Sequence, residues 1–324
     1  MVHSQIIRYF LRYSIQIPSV YRSTGKPHVF MFATRRGGST LLRDVIYSQS
    51  EFNYISQPFN HYQFNPYMRF MPEGKIGQLI SLQETDKREL KQYIDRLLER
   101  KYIVRSQWKI WAKNYHWRWE RYVLKILAAK AMIDWFTDTY RETARIVYMT
   151  RHPIPSALSI IHKKFRFTAK AYLCNEHFVK SELTDDLINF AYQILDSGTT
   201  LEKYVLNWCL ENLVPLRRWE YRGWVTVSFE RLVLEQRHTA ARLCEKLDLT
   251  DIDRMIETIS RPSPTTTRAS KSSILAMGPQ ERVSYWIKGI DEDILQKVAK
   301  ILEAFQIDLY DAGDPLPKAK FDEF

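Results

Sequence analysis

The stretch HVFMFATRRGGSTLLRDVIYSQ, residues 28–49, places a loop of basic, glycine and hydroxyl residues between a strand and a helix. Its apolar start predicts a buried strand over 28–34, and the apolar spacing after the loop predicts a helix near 39–49. In open α/β sheets, ligands bind where strands end and helices begin. The loop at 35–40 occupies such a position, so the sequence predicts an anion site there, with a phosphate as the expected ligand.

The loop residues have the chemistry that an anion requires. Gly37 and Gly38 can adopt unusual backbone angles, which lets amide N–H groups approach an anion closely. Ser39 and Thr40 add hydroxyl donors at the start of the helix, and Arg36 adds a permanent positive charge. A tight strand-to-helix turn without a ligand is the alternative reading of this loop alone.

The loop is not the P-loop that binds ATP or GTP. That motif requires G-x-x-x-x-G-K-[ST]. With Gly37 as its second glycine, Gly38 stands in place of the lysine and Phe32 in place of the first glycine. The sequence therefore argues against a nucleoside triphosphate as the ligand.

Composition fits a folded, basic protein. The chain has 324 residues, of which 45% are hydrophobic and 26% charged, so disorder is not expected. The net charge of +11 fits a polyanionic partner: a nucleic acid, an acidic membrane surface or a multiply phosphorylated small molecule.

The cysteines and the amino-terminal region predict a cytoplasmic protein. Cys174, Cys209 and Cys244 are far apart and form no CxxC pair, which indicates neither a disulfide framework nor a zinc site. Arginines interrupt the apolar residues of 1–23, and no 18-residue apolar run is present. We therefore expect neither secretion nor stable membrane insertion.

Strand-like and helix-like segments alternate along the chain. This alternation predicts one domain with a mostly parallel sheet that helices cover on both faces. Of the two apolar runs at 102–108 and 122–126, one or both are predicted strands. The remaining predictions are strands at 52–56, 144–150 and 224–229, helices at 84–101, 235–247 and 291–305, and a loop at 261–273.

A second segment with anion-binding character follows the clearest buried strand. In RIVYMTRHPIPSALSI, residues 145–160, Arg151 stands at the carboxyl end of the strand, and Pro153 begins a helix. Ser159 lies about two helical turns further on. Arg151 and Ser159 are candidates to bind a second phosphate, some distance from the first loop. The alternative is an arginine salt bridge with an unrelated helix serine.

Together, the two segments resemble the signatures of sulfotransferases that use 3′-phosphoadenosine 5′-phosphosulfate (PAPS). That family has a [KR]-[ST]-G-[ST]-[ST] loop for the 5′-phosphosulfate and R-x-P-x(5)-S for the 3′-phosphate. Gly37 departs from the usual Ser or Thr of the first motif. The residues that match the two motifs are Arg36, Gly38, Ser39, Thr40, Arg151, Pro153 and Ser159.

Further similarities extend the resemblance over residues 30–235. YISQPFN at 54–60 is similar to the EPFN segment of bacterial and carbohydrate-type members. RYVLK at 121–125 resembles the strand whose lysine faces the sulfuryl group, and VTVSFERLVLE at 225–235 resembles the segment near the adenine. Phe229 stands there where the family often has a tyrosine.

The resemblance implies a P-loop-like three-layer α/β fold, with a central, mostly parallel sheet flanked by helices. It implies a single domain over 1–324, with a PAPS-binding core at 28–235 that residues 261–310 complete. Arg268, Lys271 and Ser272 are the candidates in that later part for the 3′-phosphate. The other implied donor-binding residues are Arg35, Arg36, Gly37, Gly38, Ser39, Thr40, Leu41, Arg151, Ser159 and Phe229.

The implied activity is direct in-line transfer of a sulfuryl group from PAPS to a hydroxyl or to an amine or amide nitrogen. The acceptor is expected to be a small molecule or a saccharide, adenosine 3′,5′-bisphosphate is released, and no metal is required. Arg36 and the loop amides would hold the 5′-phosphate and neutralise charge on the leaving group. Lys125 would reach the same region.

The general base is an open question in the sequence. Relatives often use the glutamate of the EPFN segment, but Gln57 stands at that position and cannot accept a proton at neutral pH. His61 and His116 are the main candidates, since imidazole titrates near neutrality. Glu51 and Glu120 have less to recommend them. Gln57 orienting an acceptor that needs little activation is a further alternative.

The aromatic stretch WKIWAKNYHWRWERY, residues 108–122, suits either an acceptor pocket or packing against the sheet. Two other functions compete with sulfuryl transfer. A P-loop-type kinase of a small molecule is opposed by the missing lysine of the P-loop motif. A basic nucleic-acid-binding protein would use the aromatic stretch but leaves both anion segments unexplained, so nucleic acid is not the expected partner.

Overall fold

Five parallel strands form the central sheet of the molecule. The computed structural model describes residues 20–60, 67, 70–71, 78–102, 104, 106, 115–261 and 277–318. A short parallel pair, β1 (Val20–Tyr21) with β4 (Arg118–Trp119), stands apart from the central sheet. The strands of the central sheet are β2 (His28–Ala33), β3 (Phe52–Ser56), β5 (Arg121–Ile126), β6 (Ala144–Thr150) and β7 (Val225–Ser228). Their order is β3-β5-β2-β6-β7.

Helices connect the strands, as parallel pairing requires. The longest, α8, begins with a capping box between Thr199 and Glu202 and ends at Gly223 in the left-handed conformation. The described helices are α1 (Ser39–Tyr47), α2 (Glu84–Leu98), α3 (Ile133–Thr139), α4 (Pro153–His162), α5 (Ala169–Leu173), α6 (Glu176–Glu182), α7 (Asp185–Ser197), α8 (Thr200–Arg222), α9 (Phe229–Leu234), α10 (Gln236–Leu247), α11 (Ile252–Ser260), α12 (Pro279–Ser284) and α13 (Glu292–Ala304). Within the described residues, Lys130–Met132 and Ile287–Gly289 form 3₁₀ turns.

The two faces of the sheet belong to two separate apolar cores. Side chains of a strand point alternately to opposite faces, so Phe30 and Phe32 of β2 enter one core while Val29 and Met31 enter the other. The helices α2, α3, α4 and α8 contribute to the core of the Phe30 face. The helices α1, α9, α10 and α11 contribute to the core of the Val29 face. The result is the three-layer α/β arrangement that the sequence predicts.

The predicted elements are largely confirmed. The strands at 52–56 and 144–150 have the predicted bounds, and the run at 122–126 forms most of β5. Residues 102, 104 and 106, the described part of the run at 102–108, form no strand. The predicted loop at 261–273 lies outside the described residues after position 261. No helix within the described ranges is long and apolar enough to cross a membrane.

The strand order determines where a ligand site can form. β2 lies at the centre, with β5 on one side and β6 on the other. The chain leaves β2 toward the β3 side of the sheet and later enters β6 on the opposite side. Such a reversal opens a crevice at the carboxyl ends of the strands. The loop after β2 and the segment after β6 therefore lie next to each other at that crevice.

Candidate functional site

The loop after β2 turns sharply before α1. The Gly37 N–H donates to the Thr34 carbonyl at 3.1 Å, and both Arg36 (φ 64°) and Gly38 (φ 88°) adopt the left-handed conformation. Gly38 is the N-cap residue of α1 and brings no side chain to cap the first-turn amides. These amide groups, at the positive end of the helix dipole, are therefore available to an anion.

Close packing explains why position 38 is a glycine. A Cβ atom there would lie 2.6 Å from the Met149 Cε and 2.6 Å from the Phe229 Cδ2, well inside van der Waals contact. Met149 belongs to β6, and Phe229 is the first residue of α9. The loop is thus pressed against the strand that precedes Arg151 and against Phe229, another predicted donor-binding residue.

A buried polar network anchors the base of the loop to α8. The Thr34 hydroxyl donates to the Asn212 Oδ1 at 2.7 Å, and the Tyr148 hydroxyl donates to the same oxygen at 2.9 Å. The Asn212 amide donates in turn to the Trp208 carbonyl at 2.7 Å. Because each group has a partner, this network fixes the point where the loop leaves the sheet.

A buried ion pair lies behind the same part of the loop. The Lys130 ammonium contacts the Glu211 carboxylate at 2.8 Å, and both side chains are buried. Burial opposes ionisation of Glu211, but the Lys130 charge and hydrogen bonds from Thr168 and Asn207 outweigh it and lower the pKa of Glu211. The predicted donor-binding residue Arg35 lies near Lys130, since its charge acts on the pKa of that lysine.

The two predicted anion segments contact each other directly. The Arg36 Nε donates to the Ser159 Oγ at 2.8 Å, and the Arg151 Nη1 donates to the Arg36 carbonyl at 3.2 Å. The Arg151 guanidinium also lies over the Phe229 ring, 4.4 Å from its centroid. The predicted residues Arg36, Arg151, Ser159 and Phe229 therefore form one cluster. Arg36 points toward Ser159, whereas the sequence placed it at the other phosphate.

The cluster is strongly cationic. Burial and the nearby Arg151 charge lower the pKa of Arg36, and the same two causes lower the pKa of Arg282. None of these three arginines forms a salt bridge with a carboxylate of the described residues. The Arg151 Nε is buried and has no hydrogen-bond partner there either. Like charges held together with no salt bridge to a carboxylate indicate an anion site.

Arg282 is a cluster residue that the sequence prediction missed. It lies on α12, which packs against α9 through Val283 in a core shared with Leu232 and Val233. No motif in the sequence marks this arginine. Its position depends on tertiary packing of a helix more than 100 residues beyond Arg151, which no local pattern reveals.

Lys125 lies near the other end of the loop. Its side chain is 4% exposed, and its Nζ donates to the Thr40 Oγ1 at 2.8 Å. Burial lowers the pKa of Lys125 to about 7; the charges of Arg43 and Arg36 lower it too, and Asp44 opposes the shift. An amine that loses its proton this easily holds much less positive charge at neutral pH than a surface lysine.

Gln57 adjoins Lys125 at the carboxyl edge of the sheet. Its N–H donates to the Lys125 carbonyl at 2.8 Å, and it adopts a left-handed φ of 53°. The Asn60 amide donates to the Gln57 Oε1 at 3.1 Å. The Gln57 Nε2 therefore remains as a hydrogen-bond donor, a group that orients an acceptor but cannot take its proton.

His116 lies at the opposite edge of the sheet. Its ring stacks on Tyr47 with centroids 4.5 Å apart, and its Nδ1 lies 2.8 Å from the carbonyl oxygen of Phe52, the first residue of β3. Gln57 directly follows the last residue of that strand, five residues after Phe52, so the two lie about 16 Å apart at about 3.3 Å per residue. Burial lowers the pKa of His116. The structure therefore places His116 at the end of the sheet away from the anion loop, and its role as a base stays a prediction.

Ser39 and Leu41 are the remaining predicted donor-binding residues at the start of α1, and both are buried. The Leu41 side chain packs in the Val29-face core, so this residue can offer an anion only its backbone amide. In the aromatic stretch, Trp119 is buried and packs against Tyr122, whereas Trp117 contacts Tyr115 and is itself exposed. The predicted residues His61, Arg268, Lys271 and Ser272 lie outside the described part of the chain. Among described residues, no group of three His, Cys, Asp or Glu side chains could hold a metal ion.

Comparison with solved structures finds two sulfotransferases and a retinol dehydratase among the similar chains. The sulfotransferase domain from the curacin biosynthetic pathway is 14% identical; the match covers 88% of this chain and 99% of that one, with a TM-score of 0.46. Mouse sulfotransferase SULT7A1 complexed with PAP is 11% identical over 91% and 88% of the two chains, with a TM-score of 0.37. Retinol dehydratase in complex with androsterone and inactive cofactor PAP is 13% identical over 87% and 81%, also with a TM-score of 0.37.

The family model gives the decisive match. None of the curated protein sequences matches the chain significantly. The sulfotransferase family model matches residues 27–253, which include the loop after β2, Lys125, the segment after β6 and Phe229. The match does not extend to a branch of the family, so the relation to the bacterial and carbohydrate-type members stays a prediction. The chain belongs to the sulfotransferase family.

Proposed function

We propose that this sulfotransferase uses PAPS as its donor and transfers the sulfuryl group directly to a small-molecule or saccharide acceptor. The observation that supports PAPS best is the contact between the two anion segments, Arg36 to Ser159 and Arg151 to Arg36. A donor with two separate phosphate groups suits two adjoining cationic segments. Two of the similar structures, mouse SULT7A1 and retinol dehydratase, were solved in complex with PAP (adenosine 3′,5′-bisphosphate).

The described residues fit such a donor. The buried, unpartnered Arg151 Nε and the uncapped amides after Gly38 are hydrogen-bond donors that lack an acceptor. We assign the 3′-phosphate to Arg151, Ser159 and Arg282, and the 5′-phosphosulfate to the amides of 38–40 with Lys125 and Thr40. We infer that residues 28–235 form the donor-binding core and that 261–310 complete it within one domain.

PAPS, when bound, supplies a sulfuryl group whose transfer forms a bond to the acceptor oxygen or nitrogen, breaks the bond to the 5′-phosphate and releases a proton from the acceptor. Lys125 and the loop amides are placed to stabilise negative charge on the departing phosphate. The Gln57 amide is placed to orient the acceptor by a hydrogen bond. His61 remains the candidate base that takes the proton from the acceptor. The alternative is an acceptor that loses its proton without a base.

Calorimetry with adenosine 3′,5′-bisphosphate tests the donor. We expect the wild type to bind it tightly and adenosine triphosphate much more weakly. Arg151→Ala should weaken bisphosphate binding about 10- to 100-fold, the worth of one or two charged hydrogen bonds. Arg145→Ala is the matched control, because Arg145 lies exposed near the start of the same strand.

Two results would reject the proposed donor. One is the absence of bisphosphate binding by the wild type. The other is equal binding of bisphosphate, triphosphate and a single-stranded oligonucleotide, which would favour a general polyanion site. After a positive result, transfer of labelled sulfate from PAPS to a panel of phenols, amines and saccharides would identify the acceptor class.

A further inference from the structure

The carboxyl-terminal part of the chain reaches the residue next to Arg151. Glu230, which follows Phe229, is buried with only 1% of its surface exposed. The His152 backbone N–H donates to its Oε1 at 2.9 Å, and the Tyr310 hydroxyl donates to its Oε2 at 2.9 Å. One buried carboxylate thus joins three segments that are far apart in the sequence.

The His152 ring is held by the same carboxyl-terminal residues. It is fully buried and stacks on Trp286, with the centroids 4.4 Å apart, while Tyr310 packs edge-on at 5.0 Å. Its Nδ1 accepts from the Ile154 N–H at 3.3 Å, and its Nε2 lies 3.2 Å from the Asp311 carbonyl. Nε2 must therefore carry the proton, and the ring is neutral.

These contacts hold the His152 ring and its backbone N–H, and thereby restrain the backbone next to Arg151. Burial lowers the pKa of His152 to about 3, and the Arg151 charge lowers it too, against the hydrogen bond to Asp311. The ring therefore stays neutral throughout the physiological range. Trp286 and Tyr310 lie beyond residue 253, where the family-model match ends.

We propose that Tyr310, acting through Glu230 and His152, is a positioning residue that holds the Arg151 guanidinium in place for the 3′-phosphate. Arg151 lacks a carboxylate partner among the described residues and rests on the Phe229 ring and on the Arg36 carbonyl. Its orientation therefore depends on where the backbone at 151–152 is fixed, and Glu230 fixes it. This inference rests on the proposed use of PAPS.

The test compares two ligands that differ only in the 3′-phosphate. Affinities for adenosine 3′,5′-bisphosphate and adenosine 5′-phosphate are measured by calorimetry for the wild type and for Tyr310→Phe. A misplaced Arg151 should weaken the bisphosphate about 3- to 10-fold, as expected for one lost hydrogen bond, and leave the monophosphate unchanged. The ratio of the two affinities should fall by the same factor.

A matched control separates positioning from general destabilisation. Tyr140 is also a buried tyrosine whose hydroxyl donates to a carboxylate, the Asp95 Oδ1 at 3.1 Å, but it lies at the amino end of β6. Tyr140→Phe should leave the ratio unchanged. Glu230→Leu, which is close in size but has no acceptor oxygen for the His152 N–H or the Tyr310 hydroxyl, should lower the ratio as Tyr310→Phe does.

The outcomes distinguish this inference from the proposed function. A wild type that binds the bisphosphate, with the same affinity ratio in Tyr310→Phe and Glu230→Leu, overturns the positioning role alone. A fall in both affinities by one common factor overturns it as well, because that result indicates general loosening of the site. A wild type that does not bind the bisphosphate overturns the proposed donor and this inference with it.

Discussion

Substitution of Gly38 by alanine should damage both stability and donor binding. The new Cβ would lie 2.6 Å from atoms of Met149 and Phe229, at a φ of 88°. The left-handed backbone alone costs a non-glycine residue about 1–2 kcal/mol. Overpacking adds about 1–3 kcal/mol, since Met149 can bend away but the Phe229 ring is held under Arg151. The total is about 2–5 kcal/mol.

Gly223→Ala supplies the control for this prediction. Gly223 has a similar φ of 70°, and a Cβ there meets no atom of the described residues within 4 Å. This substitution should therefore cost only the backbone part, about 1–2 kcal/mol. The difference between the two variants measures the contact with Met149 and Phe229 alone.

The assay has two parts. Urea unfolding gives the free energy of unfolding of each variant, and calorimetry gives its affinity for adenosine 3′,5′-bisphosphate. Gly38→Ala should lose more stability than Gly223→Ala and should also bind the bisphosphate more weakly, because a displaced Phe229 moves Arg151. Equal stability losses in the two variants, with binding intact in both, would refute the packing argument.

Two further predictions concern the charges of the site. Lys125, with its pKa lowered to about 7, is mostly neutral at pH 8, and a bound 5′-phosphate favours its charged form. Bisphosphate binding at pH 8 should therefore take up a proton, and it should weaken as pH rises. Calorimetry in buffers of different ionisation enthalpy measures the number of protons taken up. The same proton uptake in Lys125→Met would contradict the prediction. Arg282→Ala should weaken bisphosphate binding about tenfold, which corresponds to the loss of one charged hydrogen bond. Lys288 is exposed, so Lys288→Ala should leave the affinity unchanged. Equal affinities in the two variants would remove Arg282 from the site.

The sequence predicted the framework of the molecule well for a physical reason. Buried parallel strands are short, continuous apolar runs, and those at 52–56 and 144–150 have the predicted bounds. Glycines and hydroxyls at the carboxyl end of a strand identify an anion loop because few other structures need them there. Both signals are local, so neither depends on how the rest of the chain packs.

The parts that the sequence could not predict depend on tertiary placement. Arg36 has a φ of 64° and its Nε contacts Ser159, an arrangement that no local sequence pattern predicts. Arg282 joins the cluster only because α12 packs on α9. His116 is a candidate base by residue type, and only the fold reveals that it lies beside the first residue of β3, at the amino end of the sheet.

The contact between Arg36 and Ser159 joins residues 123 positions apart, and that between His152 and Asp311 joins residues 159 apart. Contacts between such distant residues form late in folding, because long loops must close first. A partly folded chain therefore lacks the assembled cluster, and a ligand of the cluster binds only native molecules and stabilises them by mass action. Immobilised adenosine 3′,5′-bisphosphate should accordingly retain correctly folded protein and let misfolded chains pass, which makes the site a quality test for recombinant material.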